Sequence, residues 1–468
     1  MIATMSATPV SARPASLFRK VATVAISVCL SLSMAVPAAN AQSVPLVRDA
    51  EIEALMRDYA RPILRAAGLG NSGIQIVLVN DPSFNAFVAG RRIFFNTGAL
   101  VSAETPNEII GVLAHETGHL AGGHQERLRE QLSRAQTIAI VGALLGMGVG
   151  IAGATSGSGG AGQLGAALAM SSPELARRGL LGYQRTEETT ADRSAITYLE
   201  RTGQSPAGML KTFERFASSL ALSGSRVDPY QISHPMPRER IANLETIAKA
   251  SPYFSRKDPP ELQRRHDMMR AKIAAYTQGQ GAVQRLFRDK PKSVGAVYGD
   301  AIVTHLYGRP AEALKKVDAL IRSQPNNPYL QELRGDVLMK SNKPAEAAKA
   351  YARAVSLDKE KSGLLRVGYG QTLLAQGTAD ARKKAISELR TGLDRDPEYI
   401  SGYRFLAQAY GQDGDVGLAE LATAEGHYHA GQYREAKIFA ARAQQKLRKG
   451  SPPWVRAQDI INFVIPKR

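Results

Sequence analysis

A ruler of 34 residues runs through the second half of the chain. Ala313, Ala347, Ala385 and Ala419 are spaced by 34, 38 and 34 residues, and Pro291, Pro325 and Pro397 keep the same ruler. "GRPAEALKKV" and "NKPAEAAKAY" superimpose, each a loop entering a helix with a small residue at the crossing. Such a period dictates stacked helix–turn–helix units. One unit cannot cover its own apolar face, so neighbours must do it, and small residues are needed where backbones approach.

A period of 34 is the tetratricopeptide signature. Gly335, Ala347, Tyr351 and Ala354 fall where such a repeat places small and aromatic residues. The first repeat lacks the glycine of its first helix, Lys359 stands where proline is usual, and the third repeat carries a four-residue insertion. Tyr433–Leu447 with 452–464 is expected to cap the array.

The amino terminus reads as export machinery rather than fold. Arg19 and Lys20 precede the apolar run "VATVAISVCLSLSMAV", which ends at Ala39-Asn40-Ala41. A basic start, a short apolar centre and an A-x-A site describe a secretory signal peptide cleaved after Ala41. Cys29 is the only cysteine and is lost with it, so the mature chain enters an oxidising compartment without disulfides. The formal charge of +18 falls to +15 without the leader. It is uneven: residues 42–253 carry a net +1 and residues 254–468 a net +14. Such an excess suits an acidic partner, a lipid surface or a merely solvated face. Export and the lack of a base-stacking aromatic pattern argue against nucleic acid.

Between leader and repeats, 49–67 predicts an amphipathic helix, with Ile52, Leu55, Met56, Tyr59, Ile63 and Leu64 on one face. "IQIVLVN" predicts a strand. "NAFVAGRRIFFNTGAL" predicts a hairpin, Ala86–Ala89 and Arg92–Phe95 about a turn at Gly90. Thr105-Pro106 with Glu108 starts the next helix. Residues 135–173 hold no charge and ten glycines. Three readings stay open for them: a membrane contact through 137–154, a helical hairpin packed on the domain, or a flap near the site.

The chemistry lies in "VLAHETGHLAGGH". His115 and His119 are four apart, so their side chains diverge by only about 40° around a helix and can reach one ion. Glu116 sits beside them, placed to take a proton from an attacking water. This is the H-E-x-x-H zinc hydrolase pattern. On an unbroken helix His124 points about 140° away from His119 and is expected to be structural, unless the helix stops at Gly122-Gly123. The third protein ligand is sought in "YQRTEETTAD". Glu188 and Asp192 share a helix face, so one can bind metal while the other orients a liganding histidine. Glu187, about 100° from Glu188, is the weaker ligand candidate.

H-E-x-G-H followed by Arg185, Glu188, Ala191 and Asp192, with "NAFVAGRRIFFNTGAL" upstream and "HPMPRERI" downstream, resembles the metallopeptidase family of HtpX and the CAAX prenyl endopeptidases. A leader and carboxy-terminal repeats narrow the resemblance to the periplasmic β-barrel assembly-enhancing proteases. It implies one Zn2+ per chain on His115, His119 and Glu188, Glu116 as general base, and Asp192 behind the ligands. It also implies that His234 can take the fourth zinc position and hold the enzyme shut, with Arg185 and Arg240 near the site. HtpX-like relatives place membrane spans where this chain has 135–173.

The expected architecture is mainly α with a small β-sheet: a zincin-like α+β metallopeptidase domain, then an α-solenoid. The divisions are 1–41 (signal), 42–254 (peptidase), 255–290 (connecting helices) and 291–468 (repeats). The edge strand at Asn85, Ala86 and Phe87 would receive an extended substrate. Expected substrates are unfolded or misassembled envelope proteins, and the repeats would face the outer-membrane β-barrel assembly machinery. Two rivals are a repeat-based chaperone with a structural zinc and a peptidase anchored in the inner membrane.

Overall fold

The computed structural model describes residues 45–134, 136–137, 182–222, 234–235 and 237–465. The leader (1–41) lies outside the described residues, as does the uncharged stretch 135–173 but for 136 and 137. Every element below belongs to the compact unit Leu46–Arg468.

The helix Ala50–Ala66 starts where Asp49 accepts the Ile52 N–H at 2.9 Å, with Glu51 and Glu53 in the first turn. Its six predicted apolar residues are all buried and enter one core with Ile109, Ile110, Val112 and Leu113. The sheet has strands β1 (Leu46–Val47), β2 (Gln75–Val79), β3 (Ala86–Ala89) and β4 (Arg92–Asn96), in the order β1-β2-β4-β3. β2 and β4 are parallel, and β3 is antiparallel to β4 on the outside. Alternation sets the faces. Ile93 and Phe95 are fully buried, while Phe94 stacks on its cross-strand partner Phe87 with centroids 4.8 Å apart.

The repeats form helix pairs: Val294–Leu306 with Pro310–Ser323, Pro328–Lys340 with Pro344–Leu357, Gly363–Leu374 with Ala379–Arg395, and Ile400–Gln412 with Val416–His429. Tyr433–Lys446 and Pro452–Asn462 follow. Ala313, Ala347 and Ala385 are fully buried. Three of the third repeat's four inserted residues lengthen its second helix, which has 17 residues against 14 in the others. The solenoid grips the start of the first helix. Ala50 packs on Leu364 and Leu365, Arg48 pairs with Asp396 at 3.0 Å, and Glu51 accepts from Tyr298 Oη at 2.7 Å and Lys272 Nζ at 3.3 Å. Part of the repeat surface is thus covered by the chain itself.

His266, on the connecting helix Pro260–Thr277, is fully buried between Tyr59 Oη at 3.0 Å and the Ala103 carbonyl at 2.9 Å. Burial pushes it down to about 3, below its value in the unfolded chain. Its contribution to stability is therefore present above the ordinary histidine range and lost as pH falls through it towards 3. Chemical denaturation between pH 6.5 and 4 should show up to about 1.4 kcal/mol lost per pH unit from this one proton, and His266→Gln should flatten that slope.

Candidate metal centre

The helix Pro106–Gly122 begins with proline in its first turn, where the missing N–H costs nothing. It delivers His115 and His119 from adjacent turns, and Glu116 between them is 1 % exposed. Helix 182–201 crosses it with Glu188 and Asp192 turned inward. Gly118 permits that crossing: a Cβ there would stand 2.9 Å from the Ala191 carbonyl oxygen.

Four donors converge. The Nε2 atoms of His115 and His119 are 3.1 Å apart, and Glu188 places Oε2 at 3.3 Å from the first and Oε1 at 3.4 Å from the second. His234 sets Nδ1 at 3.4 Å from His115 Nε2 and 2.9 Å from Glu188 Oε1. All four residues offer atoms within 4.8 Å of one another. A tetrahedral zinc with bonds near 2.0–2.1 Å separates its ligands by about 3.3–3.4 Å. The donor set, three imidazoles and a carboxylate, fits that ion in both chemistry and spacing. Glu116 Oε1 is buried, makes no hydrogen bond among the described residues, and lies 3.5 Å from His234 Nε2.

Each histidine of the motif has its own support. Asp192 Oδ1 is 3.0 Å from His115 Nδ1. Arg240 donates to both Asp192 oxygens (2.7 and 2.8 Å) and to the Pro235 carbonyl (3.0 Å), and its Nη1 lies 2.8 Å from Glu188 Oε2. This arginine therefore ties both carboxylates to the loop that carries His234. On the other side His124 stands against His119, Nδ1 to Nδ1 at 2.8 Å, and Glu187 lies 2.6 Å from His124 Nε2 and 2.8 Å from Arg127.

That second arrangement corrects the expectation that His124 faces away. The helix stops at Gly122, Gly123 turns the chain left-handed (φ 65°), and the ring swings back onto His119. The Gly-Gly pair was the only sequence signal for it. Glu187, on helix 182–201, meets the site's outer rim through His124. Arg185, expected near the site, is exposed.

Electrostatics divide the two rings. Burial opposes charge on His115, but Asp192 and Glu188 outweigh it and raise the ring to about 9. Burial dominates at His119 and lowers it to about 3. Burial also raises Glu116. Glu188 would be raised by burial too, yet His234, His115 and His119 hold it well below the usual carboxylate range.

Comparison with known proteins agrees with this geometry. The profile of Peptidase family M48 matches residues 47–248, and a tetratricopeptide-repeat profile matches 332–381. "Beta-barrel assembly-enhancing protease" of Escherichia coli (strain K12) is 23% identical over 421 residues, covering 87% of this chain and 82% of the relative. "Putative beta-barrel assembly-enhancing protease" of Vibrio cholerae serotype O1 is 25% identical over 438 residues, covering 91% and 86%. "Metalloprotease LoiP" of Escherichia coli (strain K12) is 27% identical over 194 residues, covering 40% and 69%. The chain therefore carries a metallopeptidase domain of Peptidase family M48 followed by tetratricopeptide repeats, and is homologous to β-barrel assembly-enhancing protease.

Proposed function

We propose that the protein is a periplasmic zinc metalloendopeptidase that degrades misfolded or misassembled envelope proteins and assists outer-membrane β-barrel assembly. The observation that carries the reading is the meeting of His115, His119 and Glu188 at zinc-ligand spacing beside the buried Glu116 carboxylate. Zinc, when bound, supplies Lewis acidity toward the scissile carbonyl and toward water. Glu116 takes the proton of the attacking water and passes it to the leaving amine, and burial raises its basicity for that task. Asp192 and Arg240 hold His115 and Glu188 in register. An extended substrate pairs with the β3 edge through the outward backbone groups of Ala86, between Asn85 and Phe87, and reads mainly backbone, which suits varied unfolded clients.

His234 closes the site in this reading. Its Nδ1 would hold the metal together with the other three donors, and its Nε2 faces Glu116, where the attacking water would have to sit. His234→Ala should raise basal casein cleavage by about tenfold, as expected if an open state rises from a tenth of the population to most of it. Unchanged or lower activity would instead give His234 a role in the transition state, or none.

Export rests on the leader cleaved after Ala41, and the basic repeats suit an acidic partner in the assembly machinery or a lipid surface. No helix among the described residues is long and apolar enough to cross a membrane. Carbonate extraction separates the soluble reading from an anchor through 137–154. A structural zinc in a pure scaffold would need no base, so Glu116 favours the enzyme. The test is metal removal: chelation should abolish casein cleavage and one equivalent of zinc should restore it. Cleavage that survives complete removal of metal would overturn the reading.

A further inference from the structure

The outer edge of the sheet is already partly occupied. Asn96 N–H bonds the Asn85 carbonyl at 3.0 Å, so the alternation of an antiparallel ladder turns Phe87 and Ala89 toward β4 as well. The N–H and C=O groups of Ala86 and Val88, and then Gly90, face outward. Gln125 meets two of these: its Nε2 donates to the Val88 carbonyl, and its Oε1 accepts the Gly90 N–H at 3.0 Å. A carboxamide offering one donor and one acceptor to a strand edge does what a peptide group of an added strand would do. Gln125 follows directly on His124, so the left-handed turn at Gly123 that brings His124 onto His119 also aims Gln125 at the edge.

A cavity of about 210 Å³ has Val88, Gly90, Gln125 and Leu120 in its wall and touches the metal centre at His119 alone. Gln125 lines that cavity together with the Val88–Gly90 end of the β3 edge.

We propose that Gln125 is a specificity-determining residue that occupies one peptide position on the β3 edge and sets where a docked substrate strand must end. This rests on the peptidase reading above. A chain paired with Ala86 alone does not reach the carboxamide, whereas a chain extending past Val88 must displace it. Gln125 thereby limits how much backbone is read on the Gly90 side.

The test uses zinc-loaded Glu116→Gln protein, with and without Gln125→Ala. The probes are fluorescein-labelled peptides of alternating Thr and Lys, in a short form that can pair with Ala86 alone and a long form that runs past Gly90. Gln125→Ala should tighten the long peptide by about three- to tenfold, the worth of one or two backbone hydrogen bonds, and leave the short one within about twofold. Exchange of the Gly90 amide supplies a second readout. It should be slow in the parent without peptide, fast in Gln125→Ala, and slow again once the long peptide binds. Equal changes for both lengths, or weaker binding of both, would overturn the proposal while leaving the peptidase reading intact. If neither peptide binds the parent, docking on the edge falls, and the role of Gln125 with it.

Discussion

Replacing Glu116 with glutamine should cut kcat/KM for casein by about 10²- to 10⁴-fold, the usual worth of a positioned general base. Zinc content and melting temperature should stay unchanged. Glutamine matches glutamate in shape, and Glu116 is not among the four residues whose donors converge. Among the described residues its Oε1 makes no hydrogen bond, and burial already disfavours the charged form, so the fold loses little when the charge goes. The carboxylate is nevertheless 1 % exposed, an arrangement that costs stability and serves no packing purpose. Full cleavage by the variant would remove Glu116 as the base. Loss of zinc along with activity would make it a ligand instead.

Arg240→Ala should have the largest effect on stability. Asp192 and Glu188 are 3 % and 6 % exposed, and the guanidinium reaches both. Removing it leaves two carboxylates buried beside one another, which costs about 3–5 kcal/mol when one partner of a buried ionic group is deleted. It also frees the Pro235 carbonyl and with it the loop that carries His234. Zinc affinity should fall by about 10- to 100-fold, as it does when groups that orient metal ligands are lost. Arg240→Lys should recover little, because a point charge cannot serve two carboxylates and a carbonyl at once. Denaturant melts and competitive zinc titration read both effects. Unchanged values in both would show that the arginine is incidental.

Both variants follow from geometry that was legible in the sequence to different depths. The H-E-x-x-H spacing placed His115 and His119 on one face because a helix is locally regular, and Glu188 and Asp192 followed by the same rule. The alternation of β4 and the face of Ala50–Ala66 were readable for the same reason. Regularity also explains the miss at His124. Extending the angle by 100° per residue assumes a continuing helix, and a single left-handed glycine at 123 reverses the direction of the next side chain. His234 and Arg240 lie far along the chain from the motif, so only the resemblance joined them to it. The carboxamide of Gln125 capping a strand edge has no period and no motif, and only the fold displays it. The 34-residue ruler gave the repeats, but it could not tell that they would fold against the first helix. That contact depends on Arg48, Glu51 and Ala50 meeting Asp396, Tyr298 and Leu364 across hundreds of residues.

X-ray absorption at the zinc K-edge of the purified wild-type protein tests the central claim most directly. The account predicts one tightly held zinc per chain in a shell of nitrogen and oxygen only, with the scattering signature of at least two imidazoles at about 2.0–2.1 Å. A zinc that washes out on dialysis, or a shell of water oxygens without imidazole, would contradict it.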